Sequence, residues 1–195
     1  MYQKNIKRII DIFFSLLLLP ALIACVLPVG IAIKLNDKGT IFYNGKRLGK
    51  NLNEFKMFKF RSMKKNAVDK RNADGSTYNS SNDTRVTKIG KILRKTSIDE
   101  IPQIMNVLKG DMSFVGPRPS PLGNIEKYPE YYFKKFKVSP GVTGLCQALL
   151  RNNATQEQRM KLDTYYAENV SFKLDMFILY KTIFTVLFQK NIHRN

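Results

Sequence analysis

The uncharged stretch Ile12–Ile33 constrains the fold and location of this chain more than any other sequence feature. As an α-helix it is long enough to cross the hydrocarbon core of a bilayer, which is about 30 Å thick. Pro20 and Pro28 interrupt the stretch, and each removes a backbone hydrogen bond and favours a kink. The sequence therefore predicts a membrane-seeking helix that is bent.

Three interpretations of this stretch are open. A signal peptide fits the basic residues before it, but the apolar run continues past Cys25, where a secreted chain should turn polar. A simple transmembrane helix conflicts with the Lys and Arg residues on both flanks, because positive charge marks the cytoplasmic side. A re-entrant helix satisfies both facts: it enters one leaflet, bends at Pro20 or Pro28, and returns to the same face. The resulting prediction is a re-entrant membrane-anchoring helix over residues 1–38.

The charge balance predicts an anionic partner. Lys and Arg outnumber Asp and Glu by 33 to 15, which gives a net charge of +18 over 195 residues. Nucleic acid, an anionic membrane face and a phosphorylated substrate all suit such a chain. Two cysteines and one histidine cannot build a Cys/His zinc site or a disulfide framework, so a reducing compartment is expected.

The remaining patterns predict an α+β fold: a mainly helical, membrane-associated domain over residues 39–195 with a small β-hairpin. The hairpin strands are expected at Thr40–Tyr43 and Phe55–Phe60, where the second alternates apolar and basic residues. A polar loop over residues 64–82 follows. The helical patterns are a basic amphipathic helix at Arg85–Lys95, a helix at Gln156–Tyr166, and an apolar segment, Ser171–Phe188, suited to the membrane interface or to packing on the first helix.

Two adjacent carboxylates, Asp99 and Glu100, precede a short apolar run. Ser97 and Glu100 have the spacing of a capping box, which is a purely structural role. Pro102 argues for a different register, because a proline is tolerated in the first turn of a helix, where its N–H has no partner. We therefore predict that Asp99 begins the helix, where the helix dipole favours its ionised form.

A helix cap needs only one carboxylate, so the second is available for chemistry. Arg94 lies just before the pair, and Arg118 follows it between two prolines that fix the backbone. Arginines next to a carboxylate pair suit a phosphate-handling site with a nucleophile and a divalent-metal ligand. An ordinary capped helix followed by a proline-rich loop is the alternative.

The run 85–119 resembles the signature of the bacterial sugar transferase family, and in particular its small monotopic phosphoglycosyl transferases. Nearly the full chain takes part in the resemblance. The other matching pieces are MYQKNIKRIIDI at the N-terminus, Arg47-Leu48-Gly49, KFRSM at 59–63, PGVTG at 140–144, Gln147, Arg151 and LDTYY at 162–166. Relatives usually carry Trp-Ala-Gln after the PGVTG motif, whereas this chain has Leu145-Cys146-Gln147. Substrate choice therefore does not carry over.

The resemblance implies an enzyme that moves a sugar 1-phosphate from a UDP-sugar to polyprenol phosphate and releases UMP. Asp99 would be the nucleophile that carries a covalent phosphosugar, and Glu100 would hold Mg²⁺. The residues expected to bind substrate are Lys59, Arg61, Arg94, Arg118, Gln147, Arg151 and, beside the carboxylate pair, Asp163. The family's first helix is re-entrant with both ends cytoplasmic.

The expected location is therefore the cytoplasmic face of the inner membrane, as a monotopic protein of the minimal family form. Its expected partners are the UDP-sugar, polyprenol phosphate and anionic lipids, with no nucleic acid. A non-enzymatic basic protein that binds membranes or nucleic acid is the rival class. The Asp99–Glu100 pair argues against it, because a nucleic-acid face avoids paired carboxylates at its centre.

Overall fold

The computed structural model describes residues 2–70, 78, 80, 82–123 and 125–188. Part of the predicted polar loop over 64–82 therefore lies outside the described residues. The described part of that loop contains no regular helix or strand.

The architecture mixes helices with two small sheets, as the sequence predicted. The α-helices are α1 (Lys7–Asp37), α2 (Lys88–Thr96), α3 (Ile104–Lys109), α4 (Leu145–Leu150), α5 (Gln156–Glu168) and α6 (Phe172–Leu187). The strands are β1 (Phe42–Leu48), β2 (Glu54–Phe60), β3 (Ser113–Val115), β4 (Ser120–Pro121) and β5 (Gly141–Thr143). A π-helical turn forms at Tyr2–Ile6, and 3₁₀ helices form at Lys50–Leu52, Ile98–Gln103, Ile125–Lys127, Glu130–Lys137 and Arg151–Asn153.

The predicted β-hairpin is present, but its first strand lies further along the chain than expected. Strand β1 pairs antiparallel with β2 and, on its other edge, with β4, whereas β3 and β5 form a separate parallel pair. The prediction treated Gly45 as part of a long loop, although it pairs with Met57 inside the ladder. Asn51 and Leu52 have positive φ angles and make the turn compact. The loop is thus a single 3₁₀ turn.

Helix α1 runs unbroken through Pro20 and Pro28 and packs one face against the rest of the chain. That face is marked by its buried residues, Asp11, Ser15, Leu22, Gly30 and Ile33. The opposite side is exposed and apolar, and α1 satisfies the length and hydropathy expected of a membrane helix. Which proline bends the helix remains a prediction.

Both ends of α1 are fastened to the rest of the chain. Near its start, the Arg8 guanidinium donates to the carbonyl oxygens of Val107 and Leu108 at the end of α3, at 2.5 and 2.8 Å. At its end, Asp37 accepts from the Arg61 guanidinium at 2.5 Å. Since Arg61 directly follows β2, α1 is tied at two separated points to the elements that frame the site.

Two close backbone contacts hold the elements around the central stretch. A Cβ atom at Gly90 of α2 would lie 1.9 Å from the carbonyl oxygen of Ser62, so α2 can approach the end of β2 only with glycine there. A Cβ atom at Gly141 of β5 would lie 2.1 Å from the amide nitrogen of Gly116. Neither position can accept a side chain without moving backbone.

Three buried clusters surround the site. Ile33, Phe60 and Leu93 join α1, β2 and α2. Met57, Val107 and Met112 join β2 to α3, and the third cluster packs β3, α4, α5 and α6 around Val115, Leu145, Tyr166 and Ile178. Burying such aliphatic and aromatic side chains stabilises the fold by roughly 1.5–3 kcal/mol each.

The predicted helices exist, with shifted ends. Helix α2 begins at Lys88, because the Thr87 hydroxyl accepts from the Gly90 amide and caps the helix. Helix α5 begins with a capping box at Thr155, and α6 covers the predicted apolar segment. The N-terminus contacts α6 through Asp175, which accepts from Tyr2 at 2.6 Å and also pairs with Lys7.

Candidate active site

The Asp99–Glu100 pair lies on a 3₁₀ helix, Ile98–Gln103, and the predicted α-helix start at Asp99 is wrong. Ser97 has a left-handed conformation, with φ 60°, that ends α2 and begins this tight turn without a side-chain cap. Pro102 lacks an N–H and disfavours helical geometry at the residue before it, so the α-helix starts only at Ile104.

This correction changes the electrostatics expected for Asp99. The carboxyl group is 7% exposed, and burial raises its pKa to about 6, with the neighbouring Glu100 acting in the same direction. The cations Lys59, Arg94 and Arg118 oppose that rise without cancelling it. The expected stabilisation of the ionised form by a helix terminus is therefore replaced by a destabilised carboxylate, which is the more reactive state.

Glu100 is held ionised by two cations. Burial opposes its ionisation, but Lys59 and Arg118 outweigh burial and lower its pKa to about 2. Both cations bind the same oxygen: Lys59 contacts Oε1, and the Arg118 guanidinium lies 3.3 Å from it. Among the described residues Oε2 accepts no hydrogen bond, so the second oxygen is available to a further ligand.

Two cavities meet at Asp99. The first, about 670 Å³, is lined by many basic residues, and the second, about 440 Å³, is lined by the 3₁₀ helix, α1 and α6 among other elements. Both volumes are typical of small-molecule sites. Their shared wall contains Lys59, Met63, Arg94, Asp99, Arg118 and Arg159. A group attached to Asp99 is thus accessible from two directions.

Most of the predicted substrate-binding residues lie in these walls. Lys59, Arg94 and Arg118 face both cavities, and the Arg94 Nε donates to the Ser62 hydroxyl at 2.9 Å. Gln147 and Arg151 line the second cavity only. Both amide atoms of Gln147 are buried without a partner among the described residues, which is expected of a group that hydrogen-bonds a ligand.

Two of the residues that were predicted to bind substrate, Arg61 and Asp163, contact other protein groups instead. Arg61 borders the first cavity, but its guanidinium is engaged by Asp37 and by the carbonyl oxygen of Thr40 at 2.6 Å. Asp163 is 1% exposed and lines neither cavity; it accepts from Lys135 at 3.2 Å and Tyr132 at 3.1 Å. Direct substrate contact by Arg61 and Asp163 remains a prediction, and their observed contacts are with other protein groups.

Two further basic residues line the cavities, Arg159 and Lys135, and neither was predicted from the sequence. Arg159, on α5, lines both cavities, and its Nε is buried without a partner in the described part of the chain. Lys135 borders the first cavity and donates to the carbonyl oxygen of Arg118 at 2.8 Å. The basic residues of α5 and of the aromatic stretch before it were visible in the sequence, but the sequence did not show which of them line a cavity.

The residues present fit a magnesium ion. Mg²⁺ prefers oxygen ligands and is often held by one or two carboxylates together with substrate phosphates. Asp99 and Glu100 supply carboxylate oxygens at the cavity wall, and Oε2 of Glu100 has no competing described partner. No cluster of three or more His, Cys, Asp or Glu side chains suited to a metal occurs among the described residues, so a site completed by protein groups alone is not present there.

The sequence profile of the bacterial sugar transferase family matches residues 2–189, and the chain belongs to that family. It is 38% identical over 191 residues to the exopolysaccharide production protein ExoY of Sinorhizobium fredii, covering 91% of this chain and 83% of that protein.

Two longer relatives carry more specific names. The chain is 37% identical over 188 residues to the UDP-N-acetylgalactosamine-undecaprenyl-phosphate N-acetylgalactosaminephosphotransferase of Aeromonas hydrophila, covering 93% of this chain and 44% of that protein. It is also 37% identical over 195 residues to the UDP-glucose:undecaprenyl-phosphate glucose-1-phosphate transferase of Klebsiella pneumoniae, covering 96% of this chain and 41% of that protein. The chain thus spans less than half the length of these two relatives.

Proposed function

We propose that this protein is a phosphoglycosyl transferase that moves a sugar 1-phosphate from a UDP-sugar to polyprenol phosphate, an early membrane step of glycan synthesis. The observation that carries the proposal is the position of Asp99: a buried carboxylate with a raised pKa, in the wall shared by two cavities and surrounded by cations. The names of the relatives support the two substrates.

In the first step, an Asp99 oxygen attacks the β-phosphorus of the UDP-sugar. The bond from that phosphorus to the bridging oxygen breaks, UMP leaves with the bond's electron pair, and an aspartyl phosphosugar remains. Lys59 and Arg118 lie beside the carboxylate pair, where they can stabilise negative charge that gathers around phosphorus in the transition state.

In the second step, a phosphate oxygen of the polyprenol phosphate attacks the same phosphorus. The acyl-phosphate bond breaks, the Asp99 carboxylate is regenerated, and the product is a polyprenyl diphosphate sugar. A carboxylate with an ordinary low pKa is a weak nucleophile but a good leaving group. Burial of Asp99 makes it a better nucleophile while keeping it largely ionised at neutral pH.

We assign the nucleotide to the first cavity. Its walls combine Tyr43 and Tyr128, whose rings suit a base, with basic residues that suit a diphosphate: Arg47, Lys64, Lys65 and Arg85. Mg²⁺, when bound by Glu100, neutralises charge on the diphosphate.

The proposed location is the cytoplasmic face of the inner membrane. The exposed residues of α1 from Ile9 to Ile31 are apolar, and both ends of the helix contact the proposed catalytic domain, which supports a re-entrant, monotopic arrangement. The basic surface then attracts anionic lipid and the nucleotide sugar alike. Residues 1–38 would be the anchor and residues 39–195 the catalytic domain.

The direct test measures UMP release by the purified protein from a panel of UDP-sugars, with Mg²⁺ and polyprenol phosphate. We expect one UDP-sugar to support turnover and Asp99→Asn to abolish UMP release. If Asp99→Asn released UMP at the wild-type rate, the assignment of the nucleophile would be wrong. A rival nucleic-acid binder would instead stay soluble without detergent and release no UMP.

A further inference from the structure

The second cavity has a wall that the reaction at phosphorus does not account for. Besides its arginines, it is lined by apolar side chains from five different parts of the chain, namely Leu18, Ile101 and Ile104, Phe114, Val142, and Val186. Leu18 belongs to the membrane helix α1 and Val186 to the last turns of α6. A nucleotide sugar has no hydrocarbon to match such a wall.

The threonine hydroxyls of this wall are already engaged by other protein groups. The hydroxyls of Thr143 and Thr182 hydrogen-bond each other at 2.6 Å, and the Thr185 hydroxyl donates to the carbonyl oxygen of Ala148 at 3.2 Å. Because these hydroxyls are satisfied within the protein, an apolar ligand can lie against them without leaving a buried polar group unpaired.

The charge distribution matches an amphiphile with an anionic head. At its inner end the cavity reaches Arg94, Arg118, Arg151 and Arg159 around Asp99. At its outer end it reaches Leu18, which is 38% exposed and continues into the exposed apolar residues Phe14 and Leu17 of α1. A cationic inner end, an apolar wall and an outer end on the membrane helix together describe the binding site of a lipid phosphate.

We propose that the second cavity binds the first isoprene units of the polyprenyl acceptor, which enters head-first between α1 and α6. This inference rests on the proposed function and adds the acceptor's path and the residues that set its chain preference. Leu18 lines this cavity from α1 and Val186 lines it from α6, so we assign them as specificity-determining residues for the acceptor alone.

The test separates the two half-reactions in full-length protein in detergent or nanodiscs. Val186→Trp narrows the cavity from α6. With undecaprenyl phosphate we expect at least a tenfold fall in lipid-product formation, expressed mainly as a raised KM. UMP release in a single turnover without acceptor should stay within twofold of wild type, because the donor uses the other cavity.

The matched control is Ile183→Trp, one turn earlier on the same helix. Ile183 is 60% exposed and does not line the cavity, so both half-reactions should be unchanged. Leu18→Trp narrows the same path from the opposite side and provides the same test if Val186→Trp fails to fold. It should reproduce the selective loss of product formation.

Two outcomes overturn the proposal. One is normal product formation by a folded Val186→Trp or Leu18→Trp protein. The other is an equal loss of UMP release and product formation, which would mean that the donor occupies this cavity. Failure of the proposed function would look different, because the wild-type protein would then release no UMP from any UDP-sugar.

Discussion

This protein has two buried acidic centres, in each of which carboxylates lie next to cations, but the two centres have different roles. At the first, Glu100 contacts Lys59 and Arg118, and the neighbouring Asp99 lies in the wall of two cavities. At the second, Asp163 accepts from Lys135 and Tyr132 and faces no cavity. Both combine carboxylates with cations away from water, so residue type alone does not distinguish them.

The difference between the two centres is access. Lys135 is 4% exposed and donates to the Ser120 hydroxyl and the Arg118 carbonyl as well as to Asp163, which fixes the turn that carries Arg118. Burial lowers the pKa of Lys135, and the Asp163 carboxylate opposes that change. The Asp163 carboxylate lines neither cavity and acts on the site through Lys135 and the backbone that Lys135 holds, whereas Asp99 lies in the wall of both cavities and can touch substrate.

The strongest test of this comparison is Asp99→Asn. We expect UMP release to fall by more than about 1,000-fold, because the amide cannot form the covalent phosphosugar. The melting temperature should not fall, since burial already disfavours the charged form of Asp99. Single-turnover UMP assays and thermal melts check both statements. A dead variant with a much lower melting temperature would mean that the pair is structural.

Glu100→Gln should have the next largest effect. We expect the Mg²⁺ concentration for half-maximal UMP release to rise by about 10–100-fold, because a neutral amide is a poorer ligand for a hard cation. The measurement is a Mg²⁺ titration at saturating UDP-sugar. An unchanged titration midpoint would remove Glu100 from the metal site.

Arg159→Ala tests the cation that only the structure revealed. We expect about a 10–100-fold loss in both half-reactions, since Arg159 lines both cavities, and partial recovery in Arg159→Lys. The control is Lys161→Ala on the same helix, which removes an exposed ion pair with Glu157 and should leave both rates unchanged. Equal rates for the two alanine variants would exclude Arg159 from the site.

The pH dependence of the first half-reaction tests the raised pKa of Asp99. The nucleophile must be ionised, so single-turnover UMP release should be near maximal at neutral pH. It should fall by about tenfold for each pH unit below about 6 as Asp99 gains a proton. A profile that stays flat down to about pH 4.5 would show that the carboxylate is not perturbed.

Asp163→Asn should affect stability more than chemistry. Breaking a buried ion pair costs about 3–5 kcal/mol of unfolding free energy, because Lys135 is left buried without its counter-charge. We expect a clearly lower melting temperature, with UMP release per folded molecule reduced less than in any variant of the first centre. Denaturant unfolding and activity at low temperature check this. A stable but inactive variant would place Asp163 in the site.

Features that depend on residues close together in the sequence could be predicted, whereas features that depend on contacts between distant residues could not. The long apolar run, the hairpin, the amphipathic helices and the carboxylate pair were predictable because each depends on local periodicity or neighbouring residue types. The register at Asp99 was not, because a left-handed Ser97 and a proline together produced a 3₁₀ turn that neither residue implies alone. The extension of β1 through Gly45 was missed because pairing with β2 outweighs the low strand propensity of glycine.

By itself, the sequence determined the family, the membrane-seeking helix and the adjacent Asp99 and Glu100. The order of the motifs and the length of the apolar run can be read from the sequence alone. Only the tertiary structure decided which cations serve the site. Arg61 pairs with Asp37, Asp163 lines neither cavity, and Arg159 lines both of the cavities that Asp99 lines. The physical reason is that a charge acts over a few ångströms of space, and residues distant along the chain become neighbours only when their elements pack.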